Sequence, residues 1–197
     1  MVKVAIFASG KGSNANNICE FFKNSQVASI DLIVSDNPKA GAQLIADKFN
    51  ISLLELDSTL TSNSALLLSN LQLHKIDFIV LAGYLKLIPK LLIESFPKRI
   101  INIHPALLPY FGGKGMYGMN VHNAVSSSGV TETGITIHFV DENYDEGAII
   151  FQSKIAIMPN EDASIIAQKI NQLELEFYPE IILNTIEKYI SKNHNSD

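Results

Sequence analysis

The sequence predicts an α/β protein whose sheet is parallel in the first half and antiparallel at the end, with helices on both faces. Three observations carry this. Short apolar runs alternate with helix-spaced segments through the first hundred residues, the rhythm of repeated strand-helix units. Two later apolar runs are joined only by DENYDEG, too short for a helical crossover, so they pair antiparallel. The last part of the chain carries a single apolar stripe at helical spacing.

Each element has its own signal. VKVAIFAS (2–9) is a β-branched apolar run, GKGSN breaks it, and Ile18, Phe21 and Phe22 give the following helix its apolar face. IDLIVSD (30–36) is the second strand and AGAQLIADKFN (40–50) the second helix. ISLLELD (51–57), a helix near 63–73 and DFIVLAGY (77–84) continue the pattern, and RIINIHPA (99–106) is the fifth strand. These runs are apolar nearly throughout, as burial on both faces of a parallel sheet requires. GITIHFV (134–140) and AIIFQSKIAI (148–157) form the hairpin. From about residue 161, Ile166, Ile170, Leu173, Phe177, Ile181 and Ile182 mark a helix covering one sheet face, with an interruption expected at Pro179. The final KNHNSD is expected to fray.

Composition bounds what such a chain can do. Its 197 residues suit one domain, without internal repeat or linker, and 47% hydrophobic against 18% charged residues excludes a disordered or coiled-coil chain. A net charge of -5 with no basic cluster argues against a nucleic-acid partner. No signal-peptide core and no apolar run of membrane-spanning length is present, so neither export nor a membrane partner is expected. The one cysteine, Cys19, excludes an internal disulfide and a multi-cysteine metal site and fits a reducing compartment, with the cytoplasm as the expected location.

Two places carry candidate chemistry. GKGSNA (10–15), after a strand and before a helix, offers free backbone N–H groups and a helix dipole to an anion. Asp36 at the end of the second strand stands where a dinucleotide fold keeps its ribose acid, so dinucleotide and monophosphate both remain open, beside a plain turn capped by Ser13 or Asn14. In the fifth strand Asn102 and His104 share a face, and Pro105 ends the ladder, which puts both polar groups at the carboxyl edge where open α/β sheets hold ligands. The acidic DENYDEG turn can bring Asp141, Glu142, Asp145 or Glu146 back to that edge; a solvated turn is the alternative. A carboxylate beside His104 would favour imidazolium, and Asn102 would add a neutral N–H. Such a pair suits acyl or formyl transfer to an amine, in which a carbonyl oxygen becomes negative and a proton must move. No nucleophile elbow is present, and the histidines have no metal-ligand spacing.

FASGKGSN (7–14), VLAGYLKLI (80–88), INIHPALLP (101–109) and ITIHFVDENYDEGAII (135–150), in this order and spacing, resemble the phosphoribosylglycinamide formyltransferases of purine synthesis, over residues 2 to about 182. The resemblance implies a Rossmann-like mixed sheet in a single formyltransferase domain. About 1–100 would be its phosphate-binding half and about 101–190 its catalytic and folate half. It implies transfer of a formyl group from 10-formyltetrahydrofolate, as co-substrate, to 5-phosphoribosylglycinamide, with no metal, by a monomer or weak homodimer. Gly12, Ser13 and Asn14 match the turn that holds the substrate phosphate, which decides for a monophosphate. Asn102, His104 and Asp145 match the catalytic trio: oxyanion donor and substrate contact, proton donor, and the group that raises the histidine pKa. Leu85, Lys86, Leu87 and Ile88 match the pterin segment, and Asp141, Glu142, Asn143, Tyr144 and Asp145 the loop closing over it. Glu174 matches a carboxylate contacting the glycinamide substrate, and His138 a histidine next to the site.

The chain departs from the family pattern in two places. TLTSNSALL (59–67) lacks the arginine that meets the folate tail in many members, and YFGGKGMYGMN (110–120) is richer in glycine than the usual turn. Lys114 within it is both a candidate phosphate contact and an ordinary solvated loop lysine. Formyltetrahydrofolate hydrolase and methionyl-tRNA formyltransferase are the near alternatives, each normally carrying an additional domain; a dinucleotide-binding oxidoreductase is the alternative of a different class.

Overall fold

The structure, a computed structural model, describes residues 1–194. In chain order it comprises β1 (Val2–Phe7), α1 (Ser13–Phe22), β2 (Ala28–Ser35), a 3-10 turn at Pro38–Ala40, α2 (Ala42–Phe49) and β3 (Ser52–Glu55). There follow α3 (Ser58–Ser62), α4 (Ser64–Leu73), β4 (Phe78–Leu81), α5 (Lys90–Ser95) and β5 (Ile100–His104). α6 (Met119–Ser128), β6 (Glu132–Phe139), β7 (Ile149–Ala156) and α7 (Ala163–His194) complete it.

The strands form one mixed sheet in the order β3-β2-β1-β4-β5-β6-β7. β1 to β5 are mutually parallel, and β6 and β7 are antiparallel additions. Alternation along β1 explains the two cores: Val4 and Ile6 face α1, α2, α6 and α7, while Ala5 and Phe7 face α4 and α5. All four are fully buried, as the apolar run requires. The order of connection reverses between β1 and β4, so their carboxyl ends diverge into a crevice.

Several expectations change. β3 is an edge strand with exposed ends rather than a strand buried on both faces. α5, of six residues, and α6, which buries only Val121, His122 and Val125 and ends in serines, have too weak an apolar period to read from sequence. α7 runs through Pro179 without interruption and continues past Lys192 instead of fraying there; residues 195–197 lie outside the described residues. Proline removes the N–H that would bond the carbonyl four residues earlier. Asn17 Nδ2 of α1 donates to that Leu175 carbonyl at 2.7 Å, and Tyr178 beside it is wholly buried, so packing holds the helix together.

Candidate active site

β5 ends at the crevice, and its alternation turns Asn102 and His104 to one face while Ile101 and Ile103 enter the core on the other. Across the antiparallel pair, Asn102 stands opposite His138 and His104 opposite Thr136. Thr136 is fully buried; its hydroxyl accepts from the Leu108 N–H at 2.9 Å and donates to the Ala106 carbonyl at 2.7 Å. That fixes the turn after β5 against β6. The β6–β7 loop then returns Asp145 to the same place, in a left-handed backbone conformation of φ 59 that aspartate tolerates better than most residues.

Asp145 lies between two imidazoles, with Oδ2 at 3.4 Å from His104 Nδ1 and Oδ1 at 3.7 Å from His138 Nε2. Oδ2 also accepts the Gly113 N–H at 2.9 Å. His138 Nδ1 lies 2.8 Å from the Phe139 carbonyl, an acceptor, which assigns the proton to Nδ1 and leaves Nε2 to accept from Asn102 Nδ2 at 3.1 Å. The neutral His138 therefore orients the Asn102 amide, whose second N–H is free for another acceptor. His104 Nε2 lies 2.8 Å from the Phe111 carbonyl, so both ring nitrogens of His104 face acceptors.

The net pKa shift of His104 runs opposite to the sequence expectation. Burial lowers its pKa below the ordinary histidine value, and the Asp145 charge and the Phe111 carbonyl offset only part of the fall. The carboxylate acts in the expected direction, but desolvation of a side chain this enclosed outweighs it. Burial also lowers the pKa of His138 and of His122 on α6, to which positive charge on His104 adds in both cases.

These groups line a cleft of about 840 Å³. Leu85, Lys86, Leu87 and Ile88 form one wall after β4, and Asn143 and Tyr144 stand beside Asp145 on another. Asn14 of α1 and Glu174 of α7 close a third side, with Asn14 Nδ2 donating to Glu174 Oε2 at 2.8 Å. Burial raises the Glu174 pKa, and the Asn14 hydrogen bond counters part of the rise. Lys114 is exposed at the rim. Four expected residues do not line the cleft. Gly12, at φ 80, packs against Ile45 of α2 and is the N-cap of α1, and Ser13 is exposed in the first turn. Asp141 accepts the Asn143 N–H within its own turn, and the exposed Glu142 pairs with Lys90 of α5 at 2.9 Å. No side chain caps α1, contrary to the plain capped-turn alternative, so its first-turn N–H groups remain beside Gly10 and Lys11 at the cleft. Asp36 is engaged by Lys86 at 3.2 Å.

A model of the formyl transferase family matches residues 2–182. The chain belongs to the formyl transferase family. Relatives named phosphoribosylglycinamide formyltransferase include a chloroplastic protein of Arabidopsis thaliana, 41% identical over 91% of this chain and 64% of its own length. Another, from Bacillus subtilis, is 38% identical over 92% of this chain and 93% of its own. The chain thus spans less than two thirds of the length of the plant relatives, the Vigna unguiculata protein included at 59%. Among solved structures, a glycinamide ribonucleotide transformylase of Symbiobacterium toebii superposes with a TM-score of 0.86, at 29% identity over 95% of this chain and 89% of that one. One from Geobacillus kaustophilus gives 0.84 at 33% identity over 94% and 99%.

The cleft contains groups that the sequence did not single out. Thr136 sits two residues before His138 on the same strand face, a period-two signal that was open to reading. The Phe111 carbonyl and the Gly113 N–H are backbone groups with no residue-type signal. His122, which the sequence read as structural, exposed or a conceivable metal ligand, is buried with Nδ1 lacking a hydrogen bond and reaches the cleft from the unexpected α6. Among the described residues no group of three or more His, Cys, Asp or Glu is arranged to hold a metal ion, and no helix is long and apolar enough to cross a membrane. Burial pushes the Cys19 thiol up to about 12, which keeps it protonated.

Proposed function

We propose that the protein transfers the formyl group of 10-formyltetrahydrofolate to the amine of 5-phosphoribosylglycinamide, giving formylglycinamide ribonucleotide and tetrahydrofolate, a step of purine biosynthesis. The observation that carries this reading is the convergence of Asn102, His104 and Asp145 on one cleft wall in a member of the formyl transferase family. The names of its relatives support the choice of substrates. The first turn of α1, in which Asn14 lines the cleft and Gly12 and Ser13 stand just outside it, receives the phosphate through backbone N–H groups, and Lys114 at the rim is a further phosphate contact. Glu174 meets the glycinamide part. The apolar side chains of Leu85, Leu87, Ile88 and Tyr144 suit a pterin ring, Lys86 a carboxylate, and the 141–145 loop closes over them.

Catalysis then follows from charge. As the amine nitrogen bonds the formyl carbon, the formyl oxygen becomes negative, and the free N–H of Asn102 and the His104 ring stabilise it. The bond from that carbon to N10 breaks as one proton passes from the amine to N10, with His104 as the carrier and the Asp145 carboxylate favouring its charged form. Nε2 of His104 becomes available when the Phe111 carbonyl gives way. The whole chain acts as one formyltransferase domain on two small molecules, in the cytoplasm, as a monomer or weak homodimer, and both its halves contribute to the cleft.

The test is a formyl-transfer assay with purified protein, run beside a control without the amine. Formylglycinamide ribonucleotide in the first and negligible hydrolysis in the second is the expected result. Hydrolysis alone would reassign the protein to formyltetrahydrofolate hydrolysis, and no reaction would sink the reading.

A further inference from the structure

A proline within a helix leaves one carbonyl without its N–H, and the helix either bends that carbonyl toward water or recruits another donor. In α7 the freed carbonyl is that of Leu175, and the donor is Asn17 Nδ2 at 2.7 Å. Three residues earlier on α1, Asn14 donates to Glu174 at 2.8 Å. Positions three apart share a helix face. One edge of α1 therefore grips one turn of α7 at two consecutive residues: the Glu174 carboxyl and the Leu175 carbonyl. That turn presents Glu174 to the cleft and Tyr178 to the core.

We infer that Asn17 is a positioning residue for Glu174: by replacing the N–H that Pro179 lacks, it sets the turn of α7 that aims the Glu174 carboxyl at the amine-bearing substrate. The inference rests on the reading of Glu174 as a contact to phosphoribosylglycinamide. Without Asn17 the Leu175 carbonyl is left unpaired in a half-buried position, and the turn relaxes outward, taking Glu174 away from Asn14. The donor side of the cleft is untouched by this, because Leu85 to Ile88 lie on the segment after β4.

The geometry also supplies its own repair. An alanine at 179 has a backbone N–H that reaches the Leu175 carbonyl in the ordinary helical way, which makes Asn17 redundant. Initial rates with both substrates varied, on wild type, Asn17→Ala, Pro179→Ala and the double variant, test this. Asn17→Ala is expected to raise the KM for phosphoribosylglycinamide about tenfold, with kcat and the KM for the formyl donor within about twofold. Pro179→Ala and the double variant are expected to lie within about twofold of wild type in all three. An unchanged amine-substrate KM in Asn17→Ala, a parallel rise in both KM values, or a double variant as impaired as Asn17→Ala would each overturn the positioning role. Thermal melts of the four proteins guard against a folding defect: a loss in Asn17→Ala that the double variant fails to recover also overturns it. A wild type inactive toward phosphoribosylglycinamide would overturn the functional reading itself, and the assignment to Glu174 with it.

Discussion

His104 is caught between opposing influences. Both of its ring nitrogens face acceptors, which favours a second proton, while its burial favours none, and burial prevails. Removing the Asp145 charge therefore moves the pKa further down, because the carboxylate raises it. In Asp145→Asn the protonated fraction of His104 at neutral pH should fall, and kcat should drop by about 10²–10⁴, the range of a lost acid-base contribution. The rate-pH profile checks the sign: its histidine limb should shift to lower pH, and an unshifted limb would mean that another acid is the partner. His104→Ala should lose a similar factor with little change in circular dichroism. At this scale the sequence was informative where residue type marks a candidate, as at Asn102, His104 and Asp145, which the fold brings to one cleft. It was silent on the Phe111 carbonyl and the Gly113 N–H, since every residue but proline has both groups.

The β6–β7 hairpin is the element on which the carboxylate depends. Gly147 closes its loop with no room for a side chain, since a Cβ there would collide with the Phe139 carbonyl. Gly147→Ala should force the loop from its seat, displacing Asp145 and lowering both kcat and Tm; activity and melting unchanged from wild type would show that the loop yields without cost. A second element contact spans α7 and the sheet. The Tyr178 hydroxyl lies 2.9 Å from the Leu81 carbonyl and 3.2 Å from that of Ile101, deep in the core. Tyr178→Phe should destabilise the fold by about 1–3 kcal/mol, read as a fall of about 2–4 °C in Tm per kcal/mol at this chain length. The strands and this hairpin were legible because their apolar periods are unbroken. α5 and α6 were not, being short and weakly patterned, and Pro179 misled because proline reads as a stop unless the neighbouring helix that supplies the missing bond is known.

Taken together, the buried histidines give the molecule a pH dependence. His104, His122 and His138 all have folded pKa values below the ordinary 6.5, so in that interval the unfolded chain binds protons that the folded chain does not. Their contribution is complete above pH 6.5 and is lost as pH falls through the depressed values, whereas the raised Glu174 tilts stability the other way above its ordinary value of 4.5. Tm should thus fall between about pH 7 and 5, and His122→Gln should flatten that fall; a slope identical to wild type would remove His122 from the account. The parallel and antiparallel parts of the sheet follow from the strand-helix rhythm and the hairpin, but the strand order and the depressed histidine pKa values do not, because both are properties of the assembled chain. The pairing of α1 with α7 has a further consequence, one of time. Asn14 leaves the ribosome more than 150 residues before Glu174. The nascent chain can complete its sheet through β7, yet the cleft stays open on one side until α7 emerges and docks. Closure of that side of the cleft is thus withheld until α7 has been made.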